Sequence, residues 1–306
     1  MIVVLCGGVG AARFLAGLVA VVDPSEVVAV VNVGDDAVFH GLHVSPDIDT
    51  VLYTLAGVVD EERGWGRRDE TFVAREELAR LGGDTWFALG DRDLATHLRR
   101  TELLASAWPL SRVTDELRQR LGVATRVLPA TDEPQPTAVR TPSGWLAFQE
   151  YFVRRAARDR VLEVRLPSAP PAPGVLEAIR AARVVLVAPS NPVVSIGPIL
   201  AVDGVRAALR ETAAHVVAVT PIVAGAAIKG PAAEMLAGLG HEVSAVGVAR
   251  LYADFLDAMV IDERDAALAT RVAALGVRPI VAQTLMRDAA ARAALARAAL
   301  ELVDAR

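Results

Sequence analysis

Cysteine is almost absent from this chain. Cys6 is the only one, so no disulfide can form within the chain, and a reducing cytoplasmic setting is expected. Cys6 itself reads as a small buried residue at a strand end rather than a nucleophile. Basic residues are not in excess: 32 Lys and Arg face 37 Asp and Glu, for a formal net charge of −5. Nucleic-acid binding calls for a basic patch or stripe, and the short pairs Arg99-Arg100 and Arg154-Arg155 do not make one. No uninterrupted apolar run reaches the roughly 20 residues of a membrane span. No basic segment precedes the first apolar run, which Gly7, Gly8, Gly10 and Arg13 interrupt, so neither a signal peptide nor a membrane partner is expected. Aromatic residues are scarce at 5%, which makes any local gathering of them informative. Hydrophobic residues, much of them Ala and Val, reach 53% of the 306 residues. That suffices for the core of one large α/β domain or two small ones.

The first stretch is the most informative. Ile2-Val3-Val4-Leu5 is a short buried strand. Gly7, Gly8 and Gly10 follow, and Ala11 to Leu18 places Phe14, Leu15 and Leu18 on one helical face. A strand, a glycine turn and a helix present free backbone N–H groups at a helix N-terminus, where the dipole also favours negative charge. A phosphate is the expected ligand. The dinucleotide fingerprint G-x-G-x-x-G is not met, because Arg13 stands where the third glycine belongs.

A second strand, Val27 to Val31, ends in Asn32-Val33-Gly34-Asp35-Asp36. Loops at strand C-termini hold the ligand in open α/β sheets. Asp35 is therefore either a ribose-binding acid or, with Asp36, an ordinary turn former. Asp47 and Asp49 precede the helical pattern of Val51, Leu52, Leu55 and Ala56. They read either as helix caps or as two hard oxygen ligands for Mg²⁺. His40 and His43 lack the third nitrogen or sulfur ligand that zinc requires. From about Gly57 the strand–helix alternation fades, and residues 57–165 read as a mainly helical insertion, with helices at 75–81, from Gly90, and at 113–121. Arg92 falls in a first helical turn, where the dipole disfavours a cation. An ion pair within the protein, or an anionic or planar ligand, would account for it. Pro142-Ser143-Gly144 marks a hairpin. Trp145, Phe148, Tyr151 and Phe152 then gather aromatic surface, as core or as a platform for a flat ring.

Alternation resumes after the Pro-rich link at 167–174. Strands are expected at 184–187, 216–219, 243–246, 259–261 and 280–282. Helices are expected at 175–182, 205–211, 232–239, 249–256 and 288–303. Pro189-Ser190-Asn191-Pro192 follows the first of these strands, as a rigid turn or as two polar side chains offered to a ligand. Lys229 is a further basic residue to aim at a phosphate. The whole reads as one α/β domain over 1–306, a Rossmann-like, mostly parallel sheet with helices on both faces.

Five separated motifs keep their order along nearly the full chain. They are Cys6-Gly7-Gly8-Val9-Gly10; Ser45-Pro46-Asp47-Ile48-Asp49-Thr50-Val51-Leu52-Tyr53; Leu89-Gly90-Asp91-Arg92-Asp93; Pro189-Ser190-Asn191-Pro192 with Ser195-Ile196-Gly197-Pro198; and Lys229-Gly230-Pro231-Ala232. Together they resemble the 2-phospho-L-lactate transferase family of coenzyme F-420 biosynthesis. The resemblance implies a Mg²⁺-dependent enzyme that takes a guanosine diphosphate-linked lactate, or phosphoenolpyruvate in actinobacterial members. The phosphoryl-linked acid would pass to the ribityl hydroxyl of the deazaflavin Fo, with release of GMP. The Ala/Val/Arg-rich composition leans towards the phosphoenolpyruvyl donor. Gly7, Gly8 and Gly10 would hold the diphosphate, with Ser190, Asn191 and Lys229 on the guanylyl side. Asp49 and Asp47 would be the catalytic and Mg²⁺-binding carboxylates. Asp49, Arg92, Tyr53 and Asp91 would contact Fo, the insertion forming part of that acceptor site. A homodimer is the default assembly. Two other readings share the glycine-rich opening. A nucleotide-sugar-binding regulatory protein of the same fold would be expected to lack the Asp47-x-Asp49-Thr50 and Gly90–Asp93 motifs. An NAD(P)-dependent oxidoreductase is disfavoured by Arg13.

Overall fold

A computed structural model describes residues 1–304. Seven strands form the central sheet: β1 (Ile2–Cys6), β2 (Val27–Val31), β3 (Arg126–Pro129), β4 (Val184–Val187), β5 (His215–Val219), β6 (Ala258–Asp262) and β7 (Arg278–Ala282). Their order is β7-β6-β5-β4-β1-β2-β3, and every neighbouring pair is parallel. β1, β2 and β4 are buried at every position, as expected where helices cover both faces of a parallel sheet. Side chains alternate between the two faces. Val3 and Leu5 join one hydrophobic cluster, while Ile2 and Val4 join the other. The chain order reverses between β1 and β4, and the crevice beyond their C-terminal ends is where a doubly wound sheet binds ligands.

The first helix, α1 (Gly8–Leu18), starts three residues before its apolar pattern does. Gly7 is its N-cap, so Gly8 and Gly10 lie in its first turn. Gly8 has φ +73°, and a Cβ on Gly10 would stand 2.4 Å from the Pro189 carbonyl oxygen. Glycine at these two positions is what lets the turn after β1 pass against the loop after β4. The second helix, α2 (Pro46–Leu55), carries Asp47 and Asp49 in its first turn, with Ser45 as N-cap. Neither aspartate is the cap.

Three more helices follow where helices were expected: α3 (Val73–Arg80), α4 (Asp91–Ala105) and α5 (Leu110–Arg120). The insertion is nevertheless not one block. β3 returns to the main sheet inside it, pairing with β2 as an edge strand. Four residues ending in a proline are too few to show a strand period. After β3 comes a three-stranded antiparallel sheet of Ala138–Thr141, Gly144–Ala147 and Glu163–Arg165, with the expected hairpin between its first two strands. The strand expected at 243–246 is absent. Ser244 there caps the helix Ala245–Tyr252, its hydroxyl accepting from the Gly247 N–H at 3.1 Å. A short apolar run does not distinguish strand from buried helix, and the serine was the signal that did. Among the described residues no helix is long and apolar enough to cross a membrane.

Candidate active site

A cavity of about 440 Å³ opens at the switch point, between the turn after β1 and the loop after β4. Its two halves differ in chemistry. One is lined by Gly7, Gly8, Gly10, Asp35, Asp47, Asp49 and Ser190; the other carries Trp86, Phe87, Phe148 and Phe152.

The polar half is built on Asn32, at the end of β2. Its amide nitrogen donates to Asp47 Oδ2 at 2.9 Å and to Asp35 Oδ1 at 3.3 Å, and its own oxygen accepts the Gly34 N–H at 2.8 Å. Gln149 donates to the other Asp35 oxygen at 3.1 Å. Asp47 packs so closely on the glycine turn that a Cβ at Gly7 would sit 2.5 Å from its Oδ2. Burial pushes the Asp47 carboxyl up to about 7; the Asp36 charge adds to the rise, while the Asn32 and Gly8 donors oppose it. Asp35 is likewise pushed well above the usual carboxylate range, by burial first and then by Asp47 and Asp36. Two acids crowd this wall, and among the described residues no cation pairs with either. Such a pair accepts a hard cation or keeps a proton.

Asp49 is held differently. Arg100, wholly buried on α4, clamps it through its two terminal guanidinium nitrogens, Nη1 donating to Oδ2 at 3.0 Å and Nη2 to Oδ1. Burial works against that charge, but Asp49 outweighs it and holds the Arg100 pKa above its ordinary value. His97 Nδ1 lies 3.3 Å from Arg100 Nη1, and its Nε2 lies 3.3 Å from Asp93 Oδ1. The Tyr53 hydroxyl donates to that same Asp93 oxygen at 2.7 Å. Although burial raises the Asp93 carboxyl, His97, Tyr53 and Arg100 bring it below its ordinary value. Burial first, then the charges of Asp49 and Asp93, push the Tyr53 phenol well up, so it stays a proton donor. Asp49 thus sits at the front of a buried chain of polar groups.

The structure brings most of the expected residues to one place and leaves two outside. Gly7, Gly8, Gly10, Asp47, Asp49, Tyr53, Ser190, Asn191 and Lys229 all line the cavity. Ser190 Oγ donates to the Gly7 carbonyl at 2.9 Å, which ties the two turns together. Asn191 Oδ1 accepts the Val193 N–H at 2.9 Å, so this side chain also shapes its own loop. Asp91 and Arg92 do not reach the cavity wall. Asp91 accepts from Thr71 Oγ1 at 2.6 Å and from the N–H groups of Val73 and Ala74, and so anchors the start of α3. Arg92 is exposed. Of the four aromatics between 145 and 152, Phe148 and Phe152 line the cavity, their rings parallel at 5.5 Å. Tyr151 is core and Trp145 lies under Arg165.

Sequence reasoning missed Asn32, Gln149, Arg100, His97 and the pair Trp86 and Phe87. Asp93, His97 and Arg100 did leave a signal. With Thr96 and Leu103 they make up the buried face of α4, and buried polar groups need buried partners. Phe87 stacks on Phe39 at 3.9 Å with Trp86 edge-on, a contact between segments far apart in the chain that no periodicity shows. His43 Nε2 lies 3.0 Å from Asp36 Oδ2, a contact within the protein. Cys6 is buried in the core, where burial raises its thiol pKa.

Fold and site together define a doubly wound α/β protein with an acidic, glycine-lined crevice facing an aromatic platform. The family of 2-phospho-L-lactate transferase CofD matches residues 2–297, and the chain belongs to that family; it is a transferase. It is 47% identical to the phosphoenolpyruvate transferase of Streptomyces griseus, over 99% of this chain and 98% of that protein. It is 42% identical to the 2-phospho-L-lactate transferase of Methanothermobacter thermautotrophicus, over 97% and 96%. A crystal structure of a UPF0052 family member from Bacillus halodurans superposes with a TM-score of 0.68 at 19% identity, covering 98% of both chains. That likeness concerns the fold.

Proposed function

We propose that this transferase passes the phosphoenolpyruvyl moiety of a guanosine diphosphate-linked donor to the deazaflavin Fo, giving dehydro-F-420-0 and GMP. One observation carries the reading: a single cavity joins a glycine turn and carboxylates to an aromatic platform. A diphosphate suits the first half and a flat tricyclic acceptor suits the second. The relatives named phosphoenolpyruvate transferase favour the enolpyruvyl over the lactyl form, and the leaning composition agrees.

In this reaction the ribityl hydroxyl oxygen attacks the phosphorus that carries the three-carbon acid. The bond from that phosphorus to the guanylate oxygen breaks with its electron pair going to the departing GMP, and the hydroxyl proton passes to solvent. Such a transfer asks the protein to position groups and offset charge more than to do covalent chemistry. The N–H groups of the first α1 turn face the diphosphate. Asp49, with its orientation set by Arg100, accepts the hydrogen bond of the attacking hydroxyl on a remaining lone pair. Ser190 keeps the two turns at a constant separation.

The donor set fits Mg²⁺. Asp47 and Asp35 offer oxygen ligands with no cation beside them among the described residues, whereas both oxygens of Asp49 already meet Arg100. Asp47, called on with Asp49 from sequence, would hold the ion with Asp35 instead. Mg²⁺ is commonly held by one or two carboxylates together with substrate phosphates, and Asp47 and Asp35 would supply the carboxylates. When bound, Mg²⁺ supplies charge neutralisation at the diphosphate. The test is a mass-spectrometric assay with Fo, Mg²⁺ and each guanylyl donor in parallel. Dehydro-F-420-0 from the enolpyruvyl donor supports the reading; no product from either donor removes it.

A further inference from the structure

Arg13 and Lys229 both line the glycine end of the cavity, one from α1 and one from the segment after β5. Neither has a carboxylate partner among the described residues. Arg13 Nη2 donates instead to the Glu61 carbonyl at 3.2 Å, and Lys229 Nζ to the Arg63 carbonyl at 2.8 Å. Both carbonyls belong to one strap, residues 59–67, closed at its base by a bridge between Val59 and Arg67. Asp60 Oδ1 braces it, accepting the N–H groups of Glu62 and Arg63 at 3.0 Å. The strap lies directly over the glycine turn: a Cβ at Gly64 would stand 2.7 Å from Val9 Cγ1 and 3.0 Å from Lys229 Nζ.

Two like charges brought together cost energy. Partial desolvation and then the Arg13 charge push the Lys229 ammonium pKa down. A neutral carbonyl positions a cation without cancelling its charge, which a carboxylate would do. Each side chain also keeps donors to spare, since lysine has three N–H groups and arginine five.

We propose that Arg13 and Lys229 form a two-cation subsite for a diphosphate-class anion, with the 59–67 strap as its outer wall. The subsite rests on the transferase reading of the cavity and extends it. The α1 N-terminus meets the anion from one side through neutral N–H groups, and the two cations meet it from another. Arginine contributes a planar fork and lysine a compact point charge.

Lys229 is the only lysine in the chain, so an amine-selective acetylating reagent marks Lys229 and the N-terminal amine alone. Full-length protein is acetylated with and without inorganic pyrophosphate, and both sites are followed by mass spectrometry. Pyrophosphate is expected to slow acetylation of Lys229 and leave the N-terminal rate unchanged. Arg13→Ala is expected to raise the half-protecting pyrophosphate concentration about tenfold or more, the loss of one charge-assisted contact. Arg13→Lys should recover part of it, which separates lost charge from a damaged fold. The subsite is overturned if pyrophosphate gives no protection, or if Arg13→Ala protects at the wild-type concentration. Protection without transfer to Fo would sink the transferase reading and leave the subsite standing. Transfer with an unchanged donor KM in Arg13→Ala would do the reverse.

Discussion

Asp49 meets a guanidinium that has no access to water, and this contact governs what substitution there does. Breaking a buried ion pair from one side leaves the other charge stranded, at a cost of about 3–5 kcal/mol. Asp49→Asn is expected to abolish transfer at saturating Mg²⁺ and also to lower the Tm, because Arg100 loses its counter-charge. Adding Arg100→Met should restore part of the Tm and none of the turnover. Retained turnover in Asp49→Asn would take the carboxylate out of the chemistry; a further additive loss of Tm in the double variant would show that the two residues are not coupled. Asp49 itself was legible, as half of an Asp-x-Asp pair ahead of a helix. Arg100 was not: it stands in the sequence as half of a short basic pair, while Arg99 beside it is exposed and Arg100 is buried. A one-residue step around the helix decides between them.

Helix α1 carries one glycine on the cavity wall and another in its packing against a neighbouring helix. A Cβ at Gly10 would strike the Pro189 carbonyl oxygen at 2.4 Å, and one at Gly17 the Arg292 carbonyl oxygen at 2.3 Å, where α1 crosses the closing helix Ala289–Asp304. Both Gly→Ala variants are expected to lose roughly 1–3 kcal/mol from overpacking. Gly10→Ala should also raise the donor KM, because it moves the first α1 turn off the loop after β4. Gly17→Ala should leave KM alone. Thermal melts paired with donor titrations check both, and equal KM effects would contradict the assignment. The strand, glycine turn and helix at 2–18 were readable because each gives a strong local signal. β3 and the helix Ala245–Tyr252 were not, since one is four residues long and the other begins in an apolar run that fits either structure.

The acidic crevice makes the stability of the whole molecule depend on pH and on the occupancy of the site. The folded state raises the Asp47 carboxyl to about 7, so it favours the protonated form. The contribution is complete below the ordinary carboxylate range and is lost as pH rises through about 7. Asp35 shifts in the same direction. Metal-free protein is expected to lose on the order of a few kcal/mol between mildly acidic pH and pH 8, read as a falling Tm. Asp47→Asn should flatten that slope, and Mg²⁺ with GDP should recover the lost Tm by mass action. A Tm that rises over this range, or an unchanged slope in Asp47→Asn, would show that the carboxylate is not the titrating group.

From sequence alone came the doubly wound class, the glycine turn between β1 and α1, the acidic pair at the start of α2 and the family likeness. All of these rest on local patterns: apolar period, glycine spacing, and short motifs in order along the chain. Tertiary structure decided which members of those patterns reach the crevice. It set Asp91 at the start of α3, left Arg92 exposed, and placed Asn32 between Asp47 and Asp35. It also closed the Arg100 clamp and laid the strap across Arg13 and Lys229. The reason is geometric. A helix or turn fixes the direction of its side chains within a few residues, but partners as far apart as 51 positions (Asp49 and Arg100) or 166 (Arg63 and Lys229) meet only when the sheet order and the loop paths have been set.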